Sequence, residues 1–367
     1  MDDIYKDSII RFRFNKSNNI VVKMGCIVLI NIIILFLFAA PALCRDNLPP
    51  LNLYNEFLPS SLLQKFPPPP FVQRGFVAVY DTAYRVIKNN KESVSTSVSI
   101  YLVNYADGLH VAGSMFLLAQ GLPPSFKNFH DVGGFGSFYI NPSLLKTLEK
   151  NPLPGVEAAN QLVHTKTDRL ETTTSYNAKG LMSGSRIIRK SPISIERSVV
   201  VLKWYGRVKL PPLPSKFPLV VRTAHHYSVS TMLPSWNGVP QEVPFGQLSI
   251  TPGTKYGKIM EFYTTFQGNP SMNLPEKTTS LGTTLWGSFY MDPKYLATLR
   301  PGMAVLSIPA ANFFLKVTSV DNRGVRIDSY YNGQLNGYSI YQPSTGLLTM
   351  SVEIMNGMPP TVIKLIK

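Results

Sequence analysis

The sequence predicts a mainly β protein with short helices, in which two tandem copies of a similar antiparallel β domain follow an N-terminal apolar segment. Three observations favour this class. Short motifs recur at one spacing, proline-rich stretches separate the copies, and runs of branched and aromatic residues alternate with turn signals. Each domain is expected to be a curved sheet, a half-barrel or a sandwich.

The repeat is defined by two motifs in one register. Lys-Phe-Pro at 65–67 recurs at 216–218, and Gly-Ser-Phe-Tyr at 136–139 recurs at 287–290, both 151 residues later. A period of this length is too long for a solenoid and matches a whole domain. Chance similarity between two β-rich stretches is the alternative. Tyr-Asn at 176–177 recurs 155 residues later, which indicates small insertions between the copies.

Each copy is expected to run from a strand at Gly-Ser-Phe-Tyr into a short capped helix. Asn141-Pro142 and Asp292-Pro293 each place an N-cap side chain before a proline at the first helical position. Leucines then lie three apart on one face of each predicted helix: Leu145 and Leu148, and Leu296 and Leu299.

Strands and hairpins are predicted around these helices. Residues 76–80 and 199–205 are rich in branched and aromatic side chains. Turn signals at 321–324, 331–334 and 344–346 divide the last part of the chain into a meander, and Asn-Gly within 331–334 favours a two-residue hairpin.

Composition divides the chain into five predicted segments. The proline clusters favour stiff, extended connections at the boundaries that the repeat requires. The segments are a signal peptide or signal anchor at 1–44, a proline-rich lead-in at 45–74, a first β domain at 75–210, a proline-rich linker at 211–218 and a second β domain at 219–367.

The N-terminal segment predicts export. Residues 24–44 carry no charge, follow several basic residues and end in small residues that suit signal cleavage. We therefore expect an exported protein in the periplasm, at the cell surface or secreted. The alternative is a protein anchored in the membrane by residues 24–43, because this run is also long enough to span a bilayer.

Cysteine and charge narrow the chemistry. Cys26 and Cys44 both lie in the N-terminal segment, so the remainder of the chain has no thiol nucleophile, disulfide or cysteine metal ligand. The chain carries a net charge of +15 from scattered basic residues. Expected partners are lipid, polysaccharide or another envelope protein. Nucleic acid is disfavoured because no basic stripe or nucleic-acid motif accompanies the charge.

Candidate ligand-binding residues are found near the start of the second copy: Trp236, His225, His226 and Tyr227. Trp236 is in a predicted loop, whereas Trp204 and Trp286 are in strand-like stretches and are expected in the core. Adjacent histidines on a strand point to opposite faces, and no metal-ligand spacing accompanies them. No metal, cofactor or catalytic residue is predicted.

These observations favour an exported, non-catalytic binding or surface-interaction protein for an apolar ligand or an anionic envelope component. One alternative is a hydrolase of an envelope polymer that uses carboxylates such as Asp131 or Asp168. Another is a structural spacer. Binding predicts a concave apolar cavity or groove in each copy, and catalysis predicts titratable groups that converge in one pocket.

Overall fold

A computed structural model of the protein describes residues 58–88, 91–119, 125–213, 218–233, 239–256, 259–268, 278–283, 289–354 and 359–366. The predicted signal segment at 1–44, Trp236 and Trp286 lie outside these ranges. Within them, no helix is both long and apolar enough to cross a membrane.

The first half of the chain forms one antiparallel sheet. Its strands are β1 (Phe76–Lys88), β2 (Lys91–Asp107), β3 (His110–Ala119), β4 (Ser125–Val132), β5 (Val156–Ala159), β6 (Leu162–Lys166), β7 (Leu170–Tyr176), β8 (Met182–Lys190) and β9 (Ser194–Arg207). Their order in the sheet is β4-β3-β2-β1-β9-β8-β7-β6-β5, so the first and last strands pair at the centre.

The second half repeats this arrangement with one strand more. Its strands are β10 (His225–Leu233), β11 (Gln241–Tyr256), β12 (Ile259–Gly268), β13 (Thr278–Thr283), β14 (Ala304–Ile308), β15 (Phe313–Asp321), β16 (Gly324–Tyr331), β17 (Gln334–Tyr341), β18 (Leu348–Glu353) and β19 (Thr361–Leu365). Their order is β13-β12-β11-β10-β19-β18-β17-β16-β15-β14, and β10 and β19 pair at the centre. The predicted fold class is confirmed: the chain is mainly β, with two similar antiparallel halves.

Short helices complete each half: α1 (Ser60–Leu63), α2 (Pro142–Lys150) and α3 (Pro293–Leu296). The predicted caps are confirmed, because Asn141 Oδ1 accepts from the Ser143 N–H at 2.8 Å and Asp292 Oδ1 accepts from the Lys294 N–H at 2.9 Å. All four leucines of the predicted apolar faces are buried. They hold each helix against the core of its own sheet.

The Gly-Ser-Phe-Tyr segment is not the strand that the sequence predicts. The Gly136 N–H donates to the Tyr139 carbonyl at 3.0 Å, so the segment folds back on itself. A Cβ on Gly136 would lie 2.2 Å from the Tyr139 ring, which explains the glycine. Isolated bridges remain instead, from Tyr139 to Leu181 and from Tyr290 to Leu347.

Those two bridges correct the register of the repeat. In the first half, the Met182 N–H donates to the Phe138 carbonyl. In the second, the Leu348 N–H donates to the Phe289 carbonyl. The counterpart of Tyr-Asn at 176–177 is therefore Tyr-Gln at 341–342, and not the hairpin at 331–332 that shares its letters. The extra strand of the second sheet accounts for the difference.

The three largest of four apolar clusters among the described residues hold the two sheets and their junction together. Two lie against the sheets of the separate halves. The third joins the halves, because Val77, Val79 and Phe116 of the first sheet pack with Ile308 and Phe313 of the second. The Phe116 and Phe313 ring centroids are 5.1 Å apart.

Candidate functional site

A cavity of about 160 Å³ lies where the two halves meet, and we call it the junction cavity. It is partly open to solvent. Its apolar wall draws on both halves, and its polar groups come mainly from β16, β17 and β18. The apolar side chains include Leu102, Phe116, Met291, Phe313, Leu315 and Ile327, and the hydroxyls include Ser114, Ser329, Ser339 and Ser351.

Strand register explains how these side chains come together. Ile327 pairs with Ser339, and Ser339 pairs with Ser351, so one row crosses three strands of the second sheet. Side chains in one row of an antiparallel sheet point to the same face. Ser339 Oγ lies 3.4 Å from Ser351 Oγ. The row therefore presents hydroxyls beside the aliphatic Ile327.

A glycine leaves room in the adjacent row. Leu315 pairs with Ser329, which pairs with Gly337. A Cβ on Gly337 would lie 2.5 Å from the Val352 carbonyl oxygen. A larger residue would therefore press on β18 as well as narrow the cavity.

The size and lining of the junction cavity define what it can hold. An apolar cavity of about 150 Å³ accommodates a benzene molecule. This cavity is therefore large enough for one ring or a short alkyl chain, and a longer molecule would extend through the open side. The serine hydroxyls can donate to, or accept from, a single polar group on such a ligand.

The other side of β16 carries a partly buried ion pair, in which the carboxylate is buried and the guanidinium is partly exposed, and no sequence pattern predicts it. Arg326 Nε donates to Asp328 Oδ1 at 2.7 Å, and the Thr318 hydroxyl donates to the same oxygen at 3.0 Å. The Arg326 guanidinium also lies 3.9 Å from the centroid of the Tyr338 ring. The hydrogen bond to Asp328 raises the pKa of Arg326. We infer that these contacts hold β16 and β17 together behind the cavity.

The predicted ligand-binding residues are not brought to the junction cavity. His225 Nε2 donates to the Val220 carbonyl at 2.5 Å. His226 is exposed, and its Nδ1 atom lies 2.9 Å from the hydroxyl oxygen of Ser249. Tyr227 is buried in the core of the second half, where burial raises the pKa of its phenol. The described lining of the cavity contains none of the three. Trp236 lies outside the described residues, so the four remain a prediction as ligand contacts.

The two predicted carboxylates occupy different environments. Asp131 is 2% exposed, and burial raises its pKa to about 8 although the Ser137 N–H donates to it at 3.4 Å. Asp168 is exposed and lines a surface pocket of about 350 Å³ that also includes Glu171. Lys166 and Lys190 line the same pocket, so its two carboxylates have cations close by.

Two histidines meet across paired strands. His110 Nδ1 lies 3.1 Å from His130 Nε2, on β3 and β4. The two histidines are 20 residues apart in the sequence, and no motif at that spacing predicts that they meet. Among the described residues, no group of three or more histidine, cysteine or acidic side chains is placed to hold a metal ion.

Trp204 is not in the core, contrary to expectation. It is 36% exposed, and its ring lies over Gly206, where a Cβ would approach the indole to 2.5 Å.

Comparisons with known proteins add little to this description. No family model and no curated protein matches the chain. Among solved structures, it aligns with a protein of unknown function from the DUF3598 family of Nostoc punctiforme. The identity is 9%, over 83% of this chain and 97% of that one, with a TM-score of 0.21. It also aligns with a candidate AttH protein from Nitrosomonas europaea at 8% identity, over 78% of this chain and 92% of that one, with a TM-score of 0.17. Such TM-scores carry no argument about this chain, so its class rests on its own sheets: a two-sheet β protein with a small cavity between its halves.

Proposed function

We propose that the protein is an exported, non-catalytic binding protein that holds a small apolar ligand in the junction cavity. The observation that carries the proposal is the mixed lining of that cavity, in which aromatic and aliphatic side chains from both halves face a row of serine hydroxyls. Ligand sites are concave and mainly apolar, with a few polar groups that set orientation.

The described lining lacks the pair of carboxylates that a polymer hydrolase of this kind needs, which favours binding over hydrolysis. Among the described residues of the cavity, the only carboxylate is that of Glu353, and its residue is exposed. Polymer hydrolysis by carboxylates needs two of them on either side of the scissile bond. An uncharged ligand of about one ring or a short alkyl chain fits the space better than a polymer does.

Titration with the neutral fluorescent probe N-phenyl-1-naphthylamine tests the proposal. Ser339→Phe places a ring in the cavity and is expected to weaken probe binding at least about tenfold, a loss of about 1.4 kcal/mol. Ser344→Phe is the matched control, because Ser344 is exposed in the turn before β18. It is expected to bind as the wild type does. Equal affinities in the two variants would exclude the junction cavity as the site.

A second variant covers the case in which Ser339→Phe fails to fold. Overpacking a buried site can cost about 1–3 kcal/mol, so its thermal transition is measured first. Ser339→Ala removes the hydroxyl without filling the space. It is expected to keep the neutral probe and to weaken binding of 1-naphthol, whose hydroxyl can bond to the serine. Loss of the neutral probe in this variant would contradict the assignment of the apolar wall.

Export is tested separately, by the intact mass of the protein isolated from its source. A mass that lacks the N-terminal residues through Ala42 or Cys44 is expected for a cleaved signal. A mass that retains residues 24–43 would favour the membrane-anchored alternative.

A further inference from the structure

One face of the first sheet is apolar, basic and uncovered in the part of the chain that the structure describes. We call it the outer face: the side chains of β1, β2, β8 and β9 that point away from the first core. Val94 is 63% exposed, Val201 53%, Val199 47% and Ile195 37%. Val200, their neighbour on β9, points inward and is buried. Branched aliphatic side chains so exposed and so close together are typical of an interaction site.

Strand register shows that these residues form one patch. Val94 pairs with Arg85, which pairs with Arg197 across β1 and β9. In the next row, Ala83 pairs with Val199. The rows therefore alternate apolar and basic side chains across neighbouring strands.

The outer face continues an interface that already exists in the molecule. Farther along the same side of β1 and β2, Val77, Val79 and Ile100 are covered by the second half. Beyond these residues the second half no longer covers the sheet, and the side chains of Ala83 and Val199 are exposed. This side of the sheet thus carries apolar side chains along its length, and the second half covers only part of it.

Charge on the outer face is strongly one-sided. Its carboxylates, Asp81 and Glu92, are each engaged by a cation: Lys203 lies 3.4 Å from Asp81, and Arg85 lies 3.0 Å from Glu92. Two further cations, Arg186 and Arg197, have no carboxylate within ion-pair distance among the described residues, whereas Lys190 shares a surface pocket with Asp168 and Glu171. The next acid in the row is Glu171, on β7.

Arg85 and Arg197 lie directly opposite each other, and of the two only Arg85 has a carboxylate within ion-pair distance among the described residues. Like charges directly opposite each other on neighbouring strands destabilise a sheet. An anion bound between or above them would remove this repulsion. The outer face is therefore arranged for a partner that is both anionic and apolar.

We propose that the outer face docks on a membrane surface that contains anionic lipids. Headgroup phosphates would neutralise Arg186 and Arg197, while the exposed valines reach the upper acyl region. An anionic polysaccharide offers the charge without an apolar layer. A second copy of this chain would bring two basic faces together. The proposal is independent of the ligand in the junction cavity.

Vesicle co-sedimentation of the full chain tests the charge requirement. The vesicles are phosphatidylcholine with or without phosphatidylglycerol. The double variant Arg186→Ala, Arg197→Ala is expected to bind the anionic vesicles about fivefold more weakly for each cation removed. The double variant Lys146→Ala, Lys150→Ala removes the same charge from the exposed side of α2, away from the outer face, and is expected to bind as the wild type does. Equal losses in both, or equal wild-type binding to both kinds of vesicle, would overturn the proposal.

A tryptophan on the outer face reports contact directly. Val199→Trp is expected to be quenched by brominated phosphatidylglycerol beyond the wild-type level, whereas Lys146→Trp is not. Residues 24–43 are the same in both variants, so any membrane contact of that segment is common to them. Lack of excess quenching at position 199 would overturn the proposal even if the chain binds the vesicles. Lipid-free dimerisation that Val199→Asp abolishes would assign the outer face to a second copy instead.

Discussion

Gly180 and Gly346 occupy the same structural position in the two halves, although they lie 166 residues apart. The Gly180 carbonyl accepts from the Ile140 N–H at 2.8 Å, and the Gly346 carbonyl accepts from the Met291 N–H at 2.8 Å. Both glycines have positive φ, +85° and +77°. Each closes the turn that leads into a strand, β8 or β18, while the segment before the helix passes against it.

Alanine at position 180 is expected to destabilise the first half by more than backbone strain alone. A Cβ there would lie 1.9 Å from the Ile140 carbonyl oxygen, and the left-handed backbone costs a non-glycine residue about 1–2 kcal/mol. Gly302→Ala is the matched control, because φ is +91° and nothing lies within 4 Å of its Cβ. In urea unfolding, the free energy of unfolding should fall by about 1 kcal/mol in the control and by at least about twice that in Gly180→Ala. Similar losses of stability in the two variants would mean that the backbone at Ile140 moves away from the new Cβ at no cost in free energy.

The sequence predicts the features of this fold that depend on local chemistry. Asn141-Pro142 and Asp292-Pro293 mark helix starts because cap geometry involves only neighbouring residues. Asn332-Gly333 marks a two-residue hairpin, and both residues have positive φ as that turn requires. The Tyr-Asn match at 331–332 predicts the wrong register, because the second sheet has one strand more than the first and the structural counterpart of 176–177 lies at 341–342.

The candidate site could not be predicted in the same way. Phe116 and Phe313 form one wall of the junction cavity and come from different halves. Ser339 and Ser351 look like ordinary strand residues until pairing sets them side by side. The cavity depends on how two sheets pack, and no local pattern encodes that. The predicted His225 and His226 lie on a strand as expected, but one ring nitrogen of each is engaged by a nearby group of the protein.

Asp131 is expected to make stability fall as pH rises. Burial raises its pKa from 3.8 to about 8 in the folded state. Between those values the folded protein holds a proton that the unfolded chain has lost, so this contribution is complete below about pH 4 and is lost as pH rises through about 8. The slope is about 1.4 kcal/mol per pH unit.

Asp131→Asn tests this dependence, because the amide oxygen can still accept from the Ser137 N–H. In chemical denaturation from pH 4 to pH 9, the free energy of unfolding of the variant is expected to increase relative to that of the wild type as pH rises. Asp168→Asn, at an exposed site, is the control and should follow the wild type. Parallel curves for wild type and Asp131→Asn would show that the carboxyl is not held protonated by burial.

Phe313 is expected to be important for holding the halves together. It is 1% exposed and packs on Phe116, whereas its neighbour Phe314 is 36% exposed. Phe313→Ala should cost about 3–5 kcal/mol and separate one thermal transition into two, while Phe314→Ala should cost far less. A double-mutant cycle with Phe116→Ala is expected to give a coupling of about 0.5–1.5 kcal/mol. A coupling near zero would show that the two rings do not stabilise the junction together.

Asn141 is expected to contribute through both ends of its amide. Its Oδ1 caps α2, and its Nδ2 donates to the Pro67 carbonyl at 2.7 Å, which ties the lead-in to the helix start. Asn141→Asp keeps the cap acceptor and loses the donor, whereas Asn141→Ala loses both. Each interaction is worth about 1 kcal/mol. The free energy of unfolding should therefore fall by about that amount from the wild type to Asn141→Asp, and by about the same amount again from Asn141→Asp to Asn141→Ala. Asp292→Ala, where only a cap is lost, should match a single step. If Asn141→Asp were as stable as the wild type, the bond to Pro67 would contribute nothing, and the lead-in would be held by its other contacts, among them the burial of Leu58, Leu63 and Val72.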